Sequence, residues 1–273
     1  MSKKDSRIID DIIHFIETER ELFGDFSVNI NSVESIADNY SASDDVSDKA
    51  SLSDNKKTSK KNFNQDSGSN FSNQKTKSEW KKALEACHTL EELYELCLIS
   101  DDLKTDLEGT NLVFGTGNPT ADLMLIGEAP GEQEDLQGEP FVGRAGQLLN
   151  KILKAINFDR SDVYIANILK HRPPGNRDPL PEERNRSLPY LYRQIDIISP
   201  KLILCLGKVS ATTLLNRDEY LRDLRGKFHP FRNTELMVTY HPAALLRNTQ
   251  WKRPAWEDVQ RLRERYDELG CSP

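Results

Sequence analysis

The chain has 273 residues and a formal net charge of −7, with 37% hydrophobic and 30% charged residues. That length accommodates one ordinary domain with extra segments or two small ones, and no apolar run is long enough to span a bilayer. The acidic balance excludes a uniformly basic nucleic-acid coat protein but leaves room for local basic patches, and four cysteines without a Cys-x-x-Cys pair (Cys87, Cys97, Cys205, Cys271) argue against a disulfide framework or a zinc site.

Asp10 and Asp11 interrupt the first apolar residues, so no signal-peptide core forms and a cytoplasmic location is expected. Within residues 1–30, Ile8, Ile9, Ile12, Ile13, Phe15, Ile16 and Leu22 fall at helical spacing. They predict an amphipathic helix that buries its stripe on its own domain or on a partner. Residues 31–78 follow, and from 39 onward Ser, Asp, Asn and Lys dominate. Such a segment cannot bury enough apolar surface to offset its ordering entropy, which predicts a disordered linker. The helix and the linker are where protein partners could engage. No feature demands self-association, and a monomer is expected.

Residues 79–273 read as a folded domain. Two helices open it, at 80–87 and 89–97, the second capped by a Thr89/Glu92 box. Apolar strand patterns at 122–126, 162–168, 201–206 and 235–240 then alternate with helical patterns at about 145–156, 181–197, 208–215 and 254–268. That alternation predicts an α/β fold: three layers, α/β/α, around a central, mostly parallel, four-stranded sheet.

The first strand runs into Gly127-Glu128-Ala129-Pro130-Gly131-Glu132-Gln133-Glu134-Asp135. Carboxylates crowded onto a bend after a strand repel one another, so they suit a site that handles a proton, a water or a developing positive charge. The loop lacks the lysine and Ser/Thr of a phosphate-binding loop, and its acids would repel phosphates. A second segment, His241-Pro-Ala-Ala-Leu-Leu-Arg247, follows the apolar run 236–240. Two more motifs lie between them: Pro140-Phe-Val-Gly-Arg-Ala-Gly-Gln-Leu-Leu149 and Lys170-His-Arg-Pro-Pro-Gly-Asn-Arg177.

These four segments, in this order, resemble the motifs of the uracil-DNA glycosylase superfamily, most closely its family 4, from about residue 110 to about 269. The resemblance implies hydrolysis of the N-glycosidic bond of uracil in DNA during base-excision repair. It places Gly127, Glu128, Ala129, Phe141, Asn167 and His241 around the base, with Glu128, Glu134 and His241 catalytic. Glu128 and Glu134 would position water or stabilise the cationic sugar, and the sequence does not divide those roles between them. Phe141 would stack on the extruded base. The Asn167 amide offers a donor beside an acceptor, matching uracil O4 and N3–H, whereas cytosine presents the reverse pattern. A neutral His241 N–H would hold the departing uracil anion, a bond worth about 3–4 kcal/mol by analogy with oxyanion-hole donors. Arg144, Lys170, Arg172, Arg177 and Arg247 would meet DNA phosphates, with Leu245 and Leu246 as an apolar wedge. No lysine stands at a Schiff-base position, so an abasic product without strand cleavage is expected, in a reaction that needs no metal.

Family 4 proteins usually hold a 4Fe-4S cluster on four cysteines. Those positions here are Ser100, Leu103, His171 and Ser187. Leucine cannot ligate iron and serine seldom does, so the resemblance with these departures implies a chain without the cluster. Loss of the cluster also keeps a second reading in view, a catalytically weak uracil-DNA binding module.

Overall fold

The computed structural model describes residues 77–273. The expected N-terminal helix and the linker up to residue 76 lie outside the described residues. Residues 77 and 78, assigned above to the linker, already belong to the first helix. Helices α1 (Lys77–Ala86) and α2 (Leu90–Leu98) open the domain. The Thr89 hydroxyl accepts from the Glu92 N–H while the Glu92 carboxylate accepts from the Thr89 N–H, so the expected capping box forms. β1 (Thr116–Gly117), β2 (Leu123–Gly127), α3 (Glu132–Gln137), α4 (Arg144–Ala155), β3 (Tyr164–Asn167) and α5 (Pro181–Ile198) follow. The chain then forms β4 (Leu202–Leu206), α6 (Lys208–Leu215), α7 (Leu221–Leu224), β5 (Phe228–Phe231), β6 (Thr234–Thr239), α8 (Pro242–Arg247) and α9 (Lys252–Glu268).

The sheet has six strands in the order β1-β3-β2-β4-β6-β5, not four. The four expected strands are its parallel centre: Leu125 pairs with Ile165 on one side and Leu204 on the other, and Leu204 pairs with Met237. The two added strands are antiparallel edges. β1 has only two residues, too few for any periodicity to show. β5 contains Pro230, which has no N–H for a ladder and is tolerated at an edge.

The centre is apolar on both faces because helices cover both. Leu123 and Leu125 of β2 enter one core with Leu149 and Leu153 of α4 and Val259 and Leu262 of α9. Met124 and Ile126 enter a second core with Leu191 and Ile195 of α5 and Ala211 and Leu214 of α6. Alternate residues therefore face opposite helical layers, and the three-layer α/β/α arrangement follows. A third cluster ties α1 and α2 to Leu103, Phe114 and Tyr190. No described helix is long and apolar enough to cross a membrane.

One buried ion pair staples α9 to the sheet. Asp258 is 2% exposed; it accepts from Arg225 at 2.8 and 3.0 Å and from the Thr239 hydroxyl at 2.7 Å. Burial raises its pKa above the ordinary carboxylate value, and Thr239 and Arg225 oppose that shift without cancelling it. Removing one partner strands the other, so Asp258→Ala should cost about 3 kcal/mol in denaturant unfolding. A loss below about 1 kcal/mol would mean the pair behaves like an exposed one.

Candidate active site

The C-terminal ends of three parallel strands converge. Gly127 ends β2, Asn167 ends β3, and His241 stands two residues beyond β6. After β2 the chain adds β3 on one side and returns to place β4 on the other. Crevices at such a reversal are where open α/β sheets bind ligands. Here the cleft has a volume of about 400 Å³, and Glu128, Glu134, Phe141, Asn167, Asp178 and His241 are among its lining residues. Ala129, Arg177 and Arg247 border it too.

Gly127 has to lack a side chain. A Cβ there would sit 2.3 Å from Asn167 Oδ1 and 2.7 Å from the Phe141 ring. Its absence lets the amide and the ring close on one small space. The Asn167 side chain is buried, and Oδ1 has no hydrogen-bond partner. A buried acceptor left unpaired is costly, and in a cleft it points to a donor that a ligand would bring. The Phe141 ring lies 5.4 Å from the His241 ring at an interplanar angle of 32°.

His241 caps α8. Its Nδ1 accepts from the Ala243 N–H at 3.1 Å. An accepting Nδ1 carries no proton, so the neutral ring must carry it on Nε2. Burial, aided by the positive charge of Arg247, pushes the pKa down to about 4. The imidazole is therefore neutral near pH 7, with one N–H to give.

Glu128 and Glu134, grouped on one loop in the sequence, differ in what they do. Glu134 belongs to α3, and its carboxylate accepts three backbone N–H groups: Oε2 from Gly131 at 3.1 Å, Oε1 from Val142 and Gly143 at 3.0 and 2.9 Å. It ties two loops together. Glu128 makes no such bonds. Burial, reinforced by the nearby charge of Asp178 and opposed by Arg184, pushes its pKa up to about 7. Asp178 was not singled out in the sequence, where it reads as an ordinary acid in a basic loop.

Two expected DNA contacts are corrected. Lys170 is fully buried and donates to Phe114 O, Asn167 O and Gln194 Oε1 at 3.0, 3.1 and 2.5 Å. It cannot meet a phosphate; it anchors the strand end that carries Asn167. Leu245 is 2% exposed within the core beside α4 and α9, so it is no surface wedge. Leu246 is 41% exposed, and Arg144 and Arg247 are exposed. Arg172 and Arg177 are partly buried; Arg177 donates to both oxygens of Glu183 and Arg172 to Asn176 Oδ1.

Residues 114–260 match the model of the uracil DNA glycosylase superfamily. The chain belongs to that superfamily. It is 42% identical over 163 residues to the type-4 uracil-DNA glycosylase of Archaeoglobus fulgidus, covering 57% of this chain and 82% of that one. With the type-4 uracil-DNA glycosylase of Sulfurisphaera tokodaii it shares 44% over 164 residues, 57% of this chain and 74% of the other. With that of Thermotoga maritima it shares 37% over 186 residues, 64% and 96% respectively.

The positions that the family resemblance gives to cluster ligands do not fit iron here. Leu103 has no donor atom and packs with Cys97, Phe114 and Tyr190. Ser187 donates to Ile168 O at 2.6 Å, and Ser100 Oγ lies 2.6 Å from the Tyr190 hydroxyl. His171 Nδ1 lies 3.0 Å from Thr110 Oγ1. The nearby Cys97 thiol is pushed up to about 12 by burial, far from the thiolate that binds metal. Among the described residues, no three His, Cys, Asp or Glu are grouped to hold a metal ion.

His241 should titrate near pH 4 in the folded protein, with Nδ1 as the acceptor, in ¹⁵N NMR of the imidazole. Unfolding restores a pKa near 6.5, so the unfolded chain binds a proton that the fold refuses, and stability falls as pH drops from 6.5 toward 4. A folded-state pKa above about 6, the ordinary range, would overturn the assignment.

Proposed function

We propose that the chain is a monofunctional uracil-DNA glycosylase that leaves an abasic site. Family membership supports the reaction, and the unpaired Asn167 Oδ1 carries the choice of base. A flipped uracil would stack on the Phe141 ring with its edge against Asn167. Asn167 would accept from N3–H and donate to O4; cytosine offers an acceptor at position 3 and a donor at position 4, and would leave both ends unmatched.

Chemistry then needs charge stabilisation at two places. As the glycosidic bond breaks, its electron pair moves onto uracil N1 and delocalises to O2. The Nε2–H of His241 would hold that oxygen, and because the ring is neutral it supplies a hydrogen bond rather than a proton. The sugar left behind has oxocarbenium character. Ionised Glu128 would stabilise it and take a proton from the water whose oxygen bonds to the anomeric carbon. The uracil anion leaves and is protonated by solvent. Glu134 is assigned to holding the loops, since its oxygens are already bonded. Exposed Arg144 and Arg247 and partly buried Arg172 and Arg177 would meet phosphates, and Leu246 alone would be the wedge. The residues standing at the ligand positions support a chain that works without the cluster. Among the described residues the cleft carboxylates do not group into a ligand set, which supports a reaction without metal.

Purified protein should release uracil from a single-stranded oligonucleotide in EDTA while showing no absorbance near 400 nm. Asn167→Ala should lower kcat/KM on uracil by roughly a hundredfold, the loss of two buried hydrogen bonds. Tight binding of the oligonucleotide without uracil release would replace the enzyme reading with that of a binding module. A second outcome concerns pH. Activity should rise with pH through about 7 as Glu128 ionises, and Glu128→Gln should flatten that limb. An unchanged profile in the variant would move the base role elsewhere.

A further inference from the structure

We propose that Arg160 is a positioning residue for the base-stacking ring, holding the peptide on which Phe141 stands. The inference rests on the glycosylase reading for its functional half. Phe141 adopts φ = 54°, in the left-handed region that a bulky aromatic seldom occupies. Strained backbone of this kind persists only where surrounding contacts over-determine it, and it gathers at functional sites.

The contacts are specific. On one side, Glu134 Oε1 accepts from Val142 and Gly143 N–H. On the other, the Arg160 guanidinium donates to Pro140 O at 2.5 Å and to Phe141 O at 3.4 Å, with Asn150 Oδ1 at 3.2 Å steadying the fork. From below, α4 presses on the same carbonyl: a Cβ on Gly146 would stand 1.8 Å from Phe141 O. An anion thus holds the two N–H groups after Phe141, and a cation holds the two carbonyls at and before it. The planar fork gives each carbonyl its own nitrogen, one for Pro140 O and the other for Phe141 O and Asn150 Oδ1, a fixed spacing that a single ammonium does not reproduce. Arg160 sits in a short 3-10 turn (Arg160–Asp162) immediately before β3, the strand that ends in Asn167. One segment therefore sets both the ring that stacks on the base and the amide that reads its edge. Arg160 does not line the cleft, so its influence runs through Phe141.

The experiment pairs amide hydrogen exchange with steady-state kinetics on a uracil-containing single-stranded oligonucleotide. In Arg160→Met, exchange at Val142 and Gly143 should quicken by about tenfold or more while β4 amides keep their protection. KM should rise roughly tenfold with kcat falling less than about threefold, because base capture is weakened more than bond cleavage. Arg160→Lys should fall between the two proteins, and it decides the matter if the methionine variant does not fold. In a Phe141→Ala background, Arg160→Met should change KM by less than about twofold, because the group it acts through is gone. Unchanged exchange at residues 142 and 143, or an undiminished effect in the Phe141→Ala background, overturns the proposal. If wild-type protein releases no uracil, the glycosylase reading fails on its own, and the exchange result still decides whether Arg160 holds the loop.

Discussion

The carboxylate of Glu134 joins the loop that carries Glu128 to the segment that carries Phe141. It accepts from Gly131, at the start of its own helix, and from Val142 and Gly143 at the start of the next. Three backbone donors on one ionised group are individually stronger than neutral hydrogen bonds. They fix the loop between Glu128 and Phe141, two residues that would otherwise face the cleft from mobile connections. With that loop set, a glycine at the end of β2 gives the space in which Asn167 and Phe141 meet. The cleft is shaped first by backbone bonding and only then by the side chains that face it.

Much of the fold was legible because its central strands are buried on both faces. Each reads as a largely apolar run, and the longer helices α4, α5, α6 and α9 come after them in turn, so the parallel centre could be drawn from that alternation. The six-residue helices α3 and α8 carry too little pattern to be seen. The edges could not: Thr116–Gly117 is too short to carry a pattern, and Pro230 disguises its strand. The site divides in the same way. Gly127, Glu128, Phe141, Asn167 and His241 sit in distinctive local motifs and do meet. Lys170 and Leu245 sit in equally distinctive motifs but point inward. A cation beside Arg172 reads as a phosphate contact until three oxygen acceptors are found around it, and a leucine pair reads as a wedge until one member proves to be core. Arg160 left no signal, since its role depends on carbonyls twenty residues upstream that no residue type advertises.

The four positions that the family resemblance gives to cluster ligands are each engaged in other contacts. Ser187 bonds a backbone carbonyl, Ser100 meets a tyrosine hydroxyl, Leu103 fills an apolar cluster, and His171 meets Thr110. Each position finds a different local partner. Arg177 and Glu183 add a bidentate link from the loop between β3 and α5 to the first turn of α5. The bracing is distributed over several weak contacts, none of which draws the others to a common centre.

The dual engagement of His241 limits what could ever stand in its place. One ring nitrogen accepts the Ala243 N–H while the other carries the proton of the neutral ring. A substitute must supply an acceptor and a donor on a single short rigid group, with its charge state indifferent to pH. Lysine and arginine have no acceptor, and the carboxylates have no proton to give near neutrality. Serine and threonine could cap the helix but are too short to reach beyond it. Among the twenty residues only an amide side chain meets the same specification, so the freedom of this chain to drift at position 241 is close to a single alternative, asparagine.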